Sequence, residues 1–159
     1  MKITIVCVGK IKERFYSDAI SEYSKRLSKF CDLSIVELAD EKTPDNASDA
    51  INNKIINTEG ERILNKIPKG AYVYTLEIEG KEMTSVELSD EIRNKMNAGN
   101  SHLCFVIGGS LGLSDNIKRI SNYHLSFSKL TFPHQLMRVV LLEQIYRSFK
   151  IMANEPYHK

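Results

Sequence analysis

A glycine-rich segment with one hydroxyl, residues 108–112, follows directly after an apolar run. Its sequence is Gly-Gly-Ser-Leu-Gly, and the preceding residues His102–Ile107 are predicted to form a buried strand. Glycines let a ligand approach the backbone closely, and the free amide hydrogens of such a loop can bind a polar group. The dinucleotide-binding fingerprint is not met, because its third glycine and its later ribose-binding acid are missing. The loop is therefore a candidate ligand site, with a plain strand-ending turn as the alternative.

The same five residues also match Gly-x-Ser-x-Gly, the nucleophile elbow of serine hydrolases. In that interpretation Ser110 attacks the substrate after activation by a downstream acid and histidine. An elbow needs its helix immediately after the serine, whereas the predicted helix here begins only at about Ser114. The hydrolase alternative predicts labelling of Ser110 by a fluorophosphonate.

A second candidate segment lies before the last predicted helix. Backbone amides and hydroxyls could hold the polar groups of a nucleoside there, and its apolar side chains could form walls. The alternative is an ordinary loop whose phenylalanines fill the core. His134, one residue past Pro133, is expected to be a residue of the helix start and not a catalytic base. The candidate binding residues are Phe127, Ser128, Lys129, Leu130, Thr131 and Phe132.

The C-terminal tail carries three side chains that could do chemistry: Tyr157, His158 and Lys159. Such a set could stack on a base, move a proton and contact a phosphate. The alternative is a frayed chain end.

Alternating strand and helix patterns predict the elements that position these segments. Strands are expected near residues 3–8, 33–38, 72–78, 102–107 and 123–126, with a turn at 79–81 after the third. This order is typical of an α/β fold with a mostly parallel sheet and helices on both faces. Ligands of such sheets bind outside the carboxyl ends of the strands, which here means near Leu76, Gly108 and Phe127.

Composition narrows the class of protein further. The 159 residues suit one domain, residues 1–159. The net charge of +2 hides basic ends: residues 1–30 and 101–159 each hold seven Lys and Arg against three acids, while the middle is acidic. The three widely spaced cysteines indicate buried, reduced thiols, as expected in a cytosol. We expect no membrane span and no metal site.

Several motifs taken together resemble the RlmH (YbeA) family of ribosomal RNA large-subunit methyltransferases. They are Ile-Val-Cys-Val-Gly-Lys, Phe-Val-Ile-Gly-Gly-Ser-Leu-Gly, Leu-Ser-Phe-Ser-Lys-Leu-Thr-Phe-Pro-His, Arg-Val-Val-Leu-Leu-Glu-Gln-Ile-Tyr-Arg and the ending Pro-Tyr-His-Lys. The resemblance implies a SPOUT fold, a parallel α/β sheet with a C-terminal trefoil knot, in a cytoplasmic homodimer whose sites lie near the interface. It also implies S-adenosyl-L-methionine bound by Leu76, Gly108 and residues 127–132.

The implied reaction is methylation of N3 of a pseudouridine in large-subunit (23S) ribosomal RNA, within the assembled ribosome and without a metal. Tyr157 or His158 is expected to orient the base or to receive its proton. Arg138 and Lys159 are expected to contact RNA phosphates. A non-catalytic ribosome-binding module, with a purely structural glycine loop, is the second alternative.

Overall fold

The structure is a computed structural model and describes residues 1–157. Strands and helices alternate regularly along the chain. The strands are β1 (Lys2–Val8), β2 (Asp32–Leu38), β3 (Tyr72–Glu82), β4 (His102–Ile107) and β5 (Tyr123–Ser126). The helices are α1 (Arg14–Leu27), α2 (Asp49–Leu64), α3 (Ser85–Asn97), α4 (Asp115–Ile120) and α5 (His134–Met152).

All five strands form one parallel sheet in the order β2-β1-β4-β3-β5. The central strands β1 and β4 are apolar on both faces, as a strand covered by helices on both sides requires. The predicted α/β class with a parallel sheet is confirmed. The trefoil knot stays a prediction.

The direction of each connection explains which face its helix covers. The connections β1 to β2 and β3 to β4 move toward the β2 edge, and their helices α1 and α3 pack on one face. The connections β2 to β3 and β4 to β5 move the opposite way, and α2 and α4 pack on the other face. Right-handed crossovers between parallel strands produce this separation. The last helix, α5, joins α1 and α3.

Three free cysteines lie buried, two in central strands and one after α1. Burial raises the pKa of Cys7 to about 11 and that of Cys104 to about 12. These thiols are therefore protonated at neutral pH and act as small apolar core residues, as the sequence indicates. Within residues 1–157, no helix has the length and apolar character that a membrane crossing needs.

The prediction that a turn at residues 79–81 ends the third strand is wrong, because β3 continues to Glu82. The strand leaves its register with β5 after Leu76 and returns to it at Lys81, and both residues pair with Leu125. Gly80 permits this irregularity, since a Cβ there would lie 2.8 Å from the His124 carbonyl oxygen. The turn-forming residues therefore make a bulge beside β5, which no local pattern distinguishes from a turn.

Candidate active site

Three neighbouring strands, β4, β3 and β5, end at a common edge of the sheet. Leu76 lies one residue beyond the last pair with β4 and directly opposite Leu125 of β5. Gly108 follows two residues after Val106, the last residue of β4 that pairs with β3, and Phe127 follows two residues after Leu125. The topology thus brings together three positions that the sequence places far apart, at the edge where parallel sheets bind ligands.

The loop after β4, residues 108–112, folds back on itself as a tight turn. The Gly112 amide donates to the Gly109 carbonyl oxygen at 3.1 Å, and the two residues form an antiparallel bridge. Gly112 has a φ of +86°, which glycine adopts without strain. A Cβ on Gly108 would lie 2.7 Å from the Gly112 carbonyl oxygen. Both ends of the loop therefore require glycine.

Ser110 lies exposed at the tip of this turn. The following helix begins at Asp115, with the Ser114 hydroxyl accepting from the Ile117 amide as N-cap. A nucleophile elbow needs strand, serine and helix in immediate succession, and residues 111–114 interrupt that order. The geometry therefore argues against the serine hydrolase alternative.

The segment after β5, residues 127–132, is held at its base and exposed at its tip. The Ser126 hydroxyl lies 2.9 Å from the Ile78 carbonyl oxygen and 3.2 Å from that of Ser128. The Leu130 amide donates to the Ser128 hydroxyl at 3.0 Å. The Leu130 residue is 69% exposed and Phe132 is 36% exposed. A fixed polar base under exposed apolar side chains suits a ligand with both polar and apolar groups.

Comparison with known proteins identifies the family of the chain. A family model described as "Predicted SPOUT methyltransferase" matches residues 1–158. The chain belongs to the SPOUT methyltransferase family.

Relatives of this SPOUT chain extend over its whole length. Proteins named ribosomal RNA large subunit methyltransferase H are 60% identical in Bifidobacterium animalis subsp. lactis and 59% identical in Clostridium botulinum strain Alaska E43. Each alignment covers 100% of both chains. A solved structure, described as a probable methylase family protein from Haemophilus influenzae, is 11% identical with a TM-score of 0.54 and covers 99% of this chain and 70% of its own. That similarity is one of fold, and it confirms the fold class.

Arg138 of this SPOUT family member does not lie where it could contact a phosphate, because it is only 1% exposed. Its guanidinium donates to Glu37 Oε2 at 2.6 Å and to the carbonyl oxygens of Val8 at 2.9 Å and Gly9 at 2.5 Å. Glu37 Oε2 also accepts from the Ile11 amide at 2.9 Å. The expectation of an RNA contact is therefore corrected: Arg138 ties the start of α5 to the end of β1.

His134 packs at the same junction, as the first residue of α5. Gly9 has a φ of +87°, and a Cβ there would lie 2.8 Å from His134 Nε2. Burial lowers the pKa of His134, and the positive charge of Arg138 adds to this effect. The lowered pKa favours the neutral imidazole, which packs against Gly9 as a residue of the helix start.

The tail turns back onto α5 at Asn154, whose φ is +52°. The Tyr157 hydroxyl lies 3.3 Å from Glu143 Oε1, and its ring lies 5.0 Å from that of Tyr146. Burial raises the pKa of the Tyr157 hydroxyl, and nearby Tyr23 and Glu143 raise it further. Tyr157 is thus placed along α5, away from the loops that precede the helix. The expected site residues His158 and Lys159 lie outside the described residues.

Glu59 of α2 is a buried acid beside the glycine loop that the sequence expectations did not include. Glu59 is only 4% exposed, and a Cβ on Gly109 would lie 2.7 Å from Glu59 Oε2. One signal in the sequence could have pointed to Glu59, namely Gly60, the glycine that follows it inside the helix. A Cβ on Gly60 would overlap Ser114 Oγ, and a glycine kept inside a helix indicates such a close approach. The packing brings α2 against the residues that lead into α4.

Proposed function

We propose that this protein methylates N3 of a pseudouridine in large-subunit ribosomal RNA, with S-adenosyl-L-methionine as methyl donor and the assembled ribosome as substrate. The observation that carries the proposal is the identity of about 60% over the full length with relatives named ribosomal RNA large subunit methyltransferase H. The geometry supports it through the common edge at which Leu76, Gly108 and Phe127 lie. With a ribosomal substrate we also propose a cytoplasmic location.

The residues at this edge fit the proposed cofactor. Gly108 lets the loop fold tightly at the end of β4, because a Cβ there would meet the Gly112 carbonyl oxygen, and the 127–132 segment offers hydroxyl and amide groups beside exposed Leu130 and Phe132. A nucleoside with an attached amino acid needs this mixture of apolar wall and polar partners. We therefore assign cofactor binding to Leu76, Gly108, Phe127, Ser128, Lys129, Leu130, Thr131 and Phe132.

The proposed methyl transfer depends mainly on the orientation of the methyl donor relative to the base. When bound, S-adenosyl-L-methionine supplies a methyl group that its sulfonium already activates, and correct alignment with a nucleophile can contribute up to about 7–11 kcal/mol. The glycine-dependent turn at residues 108–112 and the anchored base of the 127–132 segment provide a frame for that alignment. N3 of the base must also lose its proton. Tyr157, with its raised pKa, stays protonated and can orient the base, which leaves His158 as the proton acceptor.

We propose that basic side chains contact the RNA backbone. Lys159 keeps this role, and Arg138 loses it because it is enclosed. Lys12 and Lys129 are exposed, and the Lys12 amide donates to Gln135 Oε1 at 2.9 Å, which places the basic loop after β1 beside the start of α5. Phosphate contacts of this kind position the protein without reading sequence.

The length of α5 supports a homodimer in which two chains build each site. The helix starts just after the cofactor segment, and Tyr157 packs beside Tyr146, near its other end. With a rise of 1.5 Å per residue, His134 and Tyr146 are about 18 Å apart along the axis. Tyr157 therefore lies along the helix, away from the cofactor segment of its own chain. We propose that the tail serves the cofactor segment of a second copy.

The proposed activity is tested with radiolabelled cofactor and three substrates: assembled ribosomes, separated subunits and free ribosomal RNA. We expect label in the large-subunit RNA only from assembled ribosomes, and at a pseudouridine when the RNA is digested. Calorimetry of cofactor binding separates the non-catalytic alternative, because a pure ribosome-binding module releases no heat on mixing with the cofactor. Absence of both binding and transfer would rule out the proposed reaction.

Mixing two inactive variants tests the shared site. Gly108→Ala damages the cofactor loop and His158→Ala removes the proposed proton acceptor, so each homodimer is expected to be inactive. After unfolding and joint refolding, a mixed dimer joins an intact loop from one chain to an intact tail from the other. We expect the equimolar mixture to regain about a quarter of the wild-type rate, since half of the dimers are mixed and each has one complete site.

Recovery of less than a few per cent, with mixed dimers present by native mass spectrometry, would contradict the shared site. Wild-type activity of the His158→Ala variant alone, with normal folding and cofactor binding, would contradict the role of His158.

A further inference from the structure

Glu59 holds one carboxyl oxygen without a hydrogen-bond partner among the described residues. The residue is 4% exposed. Its Oε1 accepts from the Glu41 amide at 2.9 Å, whereas its Oε2 is buried and unpaired. A buried acceptor without a donor destabilises the folded protein, because it has lost its hydrogen bonds to water. Any process that gives Oε2 a donor therefore removes this cost.

The surroundings of Glu59 increase this cost. Burial raises the pKa of its carboxyl group, and the negative charges of Asp40 and Glu41 raise it further, while the Glu41 amide and Arg62 oppose the increase. Arg62 pairs with the Glu41 carboxylate and donates to the Ala39 carbonyl oxygen at 2.8 Å. Glu59 is thus fixed on its Oε1 side to the loop after β2.

The free oxygen faces the proposed cofactor loop. A Cβ on Gly109 would lie 2.7 Å from Glu59 Oε2 and 3.1 Å from a methyl group of Val8. Within the part of the chain that the structure describes, the amide hydrogens of Ser110 and Leu111 have no partner. An unpaired acceptor and two unpaired donors therefore lie on neighbouring elements.

We propose that Glu59 is a positioning residue of the cofactor loop: when the cofactor binds, Oε2 accepts a hydrogen bond from a loop amide and holds the loop closed. Because Oε1 is already bonded to the Glu41 amide, the carboxylate then links the loops after β2 and β4 across the end of β1. The inference rests on the proposed function, since it assigns a role at the same cofactor site.

Glu59→Gln is the decisive variant, because an amide has one acceptor oxygen where the carboxylate has two. If the glutamine oxygen stays with the Glu41 amide, its NH2 group faces the loop and cannot accept. The matched control is Glu61→Gln, an exposed glutamate two residues further along the same helix. Three quantities are measured for both variants: the unfolding midpoint, the cofactor Kd by calorimetry, and kcat and KM for the cofactor with ribosomes.

We expect Glu59→Gln to raise the Kd and the KM for S-adenosyl-L-methionine by about tenfold, the effect of one lost hydrogen bond to a charged acceptor. Its kcat at saturating cofactor and its unfolding midpoint at neutral pH should not fall, because the variant removes a buried ionisable group. Hydrogen exchange should show cofactor-induced protection of residues 108–112 in the wild type and in Glu61→Gln, with weaker protection in Glu59→Gln.

The possible failures are distinguishable. A wild-type protein that binds no cofactor overturns the proposed function and this inference together. A wild-type protein that binds, with the same Kd and the same loop protection in Glu59→Gln, overturns only the role of Glu59. A lower unfolding midpoint with unchanged Kd assigns Glu59 to stability alone and also overturns it.

Discussion

Replacing Arg138 by methionine is expected to lower the free energy of unfolding by about 3 kcal/mol. The substitution keeps much of the side-chain volume but leaves the buried carbonyl oxygens of Val8 and Gly9 without their donor. Glu37 loses its partner as well, but its side chain is 37% exposed and can recover hydration. The two carbonyls therefore account for most of the expected loss.

Urea unfolding measures the effect of this substitution. Arg93→Met is the matched control, because Arg93 forms an ion pair with Asp90 on the surface, where such a pair contributes about 0–1 kcal/mol. Arg138→Lys should give an intermediate loss, since a lysine retains the charge without the planar fork that reaches several acceptors. A loss below about 1 kcal/mol for Arg138→Met would contradict the enclosed position and return Arg138 to the candidates for RNA contact.

Gly108→Ala is expected to weaken cofactor binding by about a hundredfold and to cost about 1–3 kcal/mol of stability. The new Cβ would lie 2.7 Å from the Gly112 carbonyl oxygen and 3.0 Å from Leu113 Cδ2, so the turn must open. Opening moves the backbone that the cofactor approaches, and affinity therefore falls together with stability. Calorimetry with S-adenosyl-L-methionine and thermal unfolding measure the two effects.

Gly99→Ala separates a general loss of stability from an effect on the site. Gly99 has a φ of +87° and no heavy atom within 4 Å of an added Cβ, so alanine strains the backbone without a clash. It lies before β4, at the opposite end of that strand from the glycine loop. We expect a stability loss of about 1 kcal/mol with unchanged cofactor affinity. Normal affinity in Gly108→Ala would remove Gly108 from the proposed binding residues.

Local periodicity was sufficient to predict the strands, the helices and the fold class. Val6, Val8 and their neighbours form a short β-branched run that is buried on both faces of a parallel sheet, and this is a pattern that a sequence displays directly. The turn predicted at residues 79–81 shows where local preference is not sufficient. Glu79-Gly80-Lys81 favours a turn locally, but the backbone of β5 pairs with the chain on both sides of it.

Side-chain roles were harder to predict than backbone elements. Arg138 and Arg93 are both helical arginines, and only the packing of α5 against β1 shows that one is enclosed and the other exposed. Glu59 sits in a polar helix among other acids, and its special position depends on a loop that is about fifty residues away in the chain. Such contacts leave no periodic trace in the sequence.

The sequence by itself therefore determined the alternation of strands and helices, the glycine loop, the 127–132 segment and a resemblance that the comparisons confirm. Only the tertiary structure decided that β3, which carries Leu76, lies between β4 and β5, that Arg138 is buried and that Glu59 faces Gly109. The physical reason is that backbone preference and hydrophobic periodicity act between near neighbours in the chain. Strand order, burial and pairing of charged groups depend on which distant segments meet, and this is settled only when the core is packed.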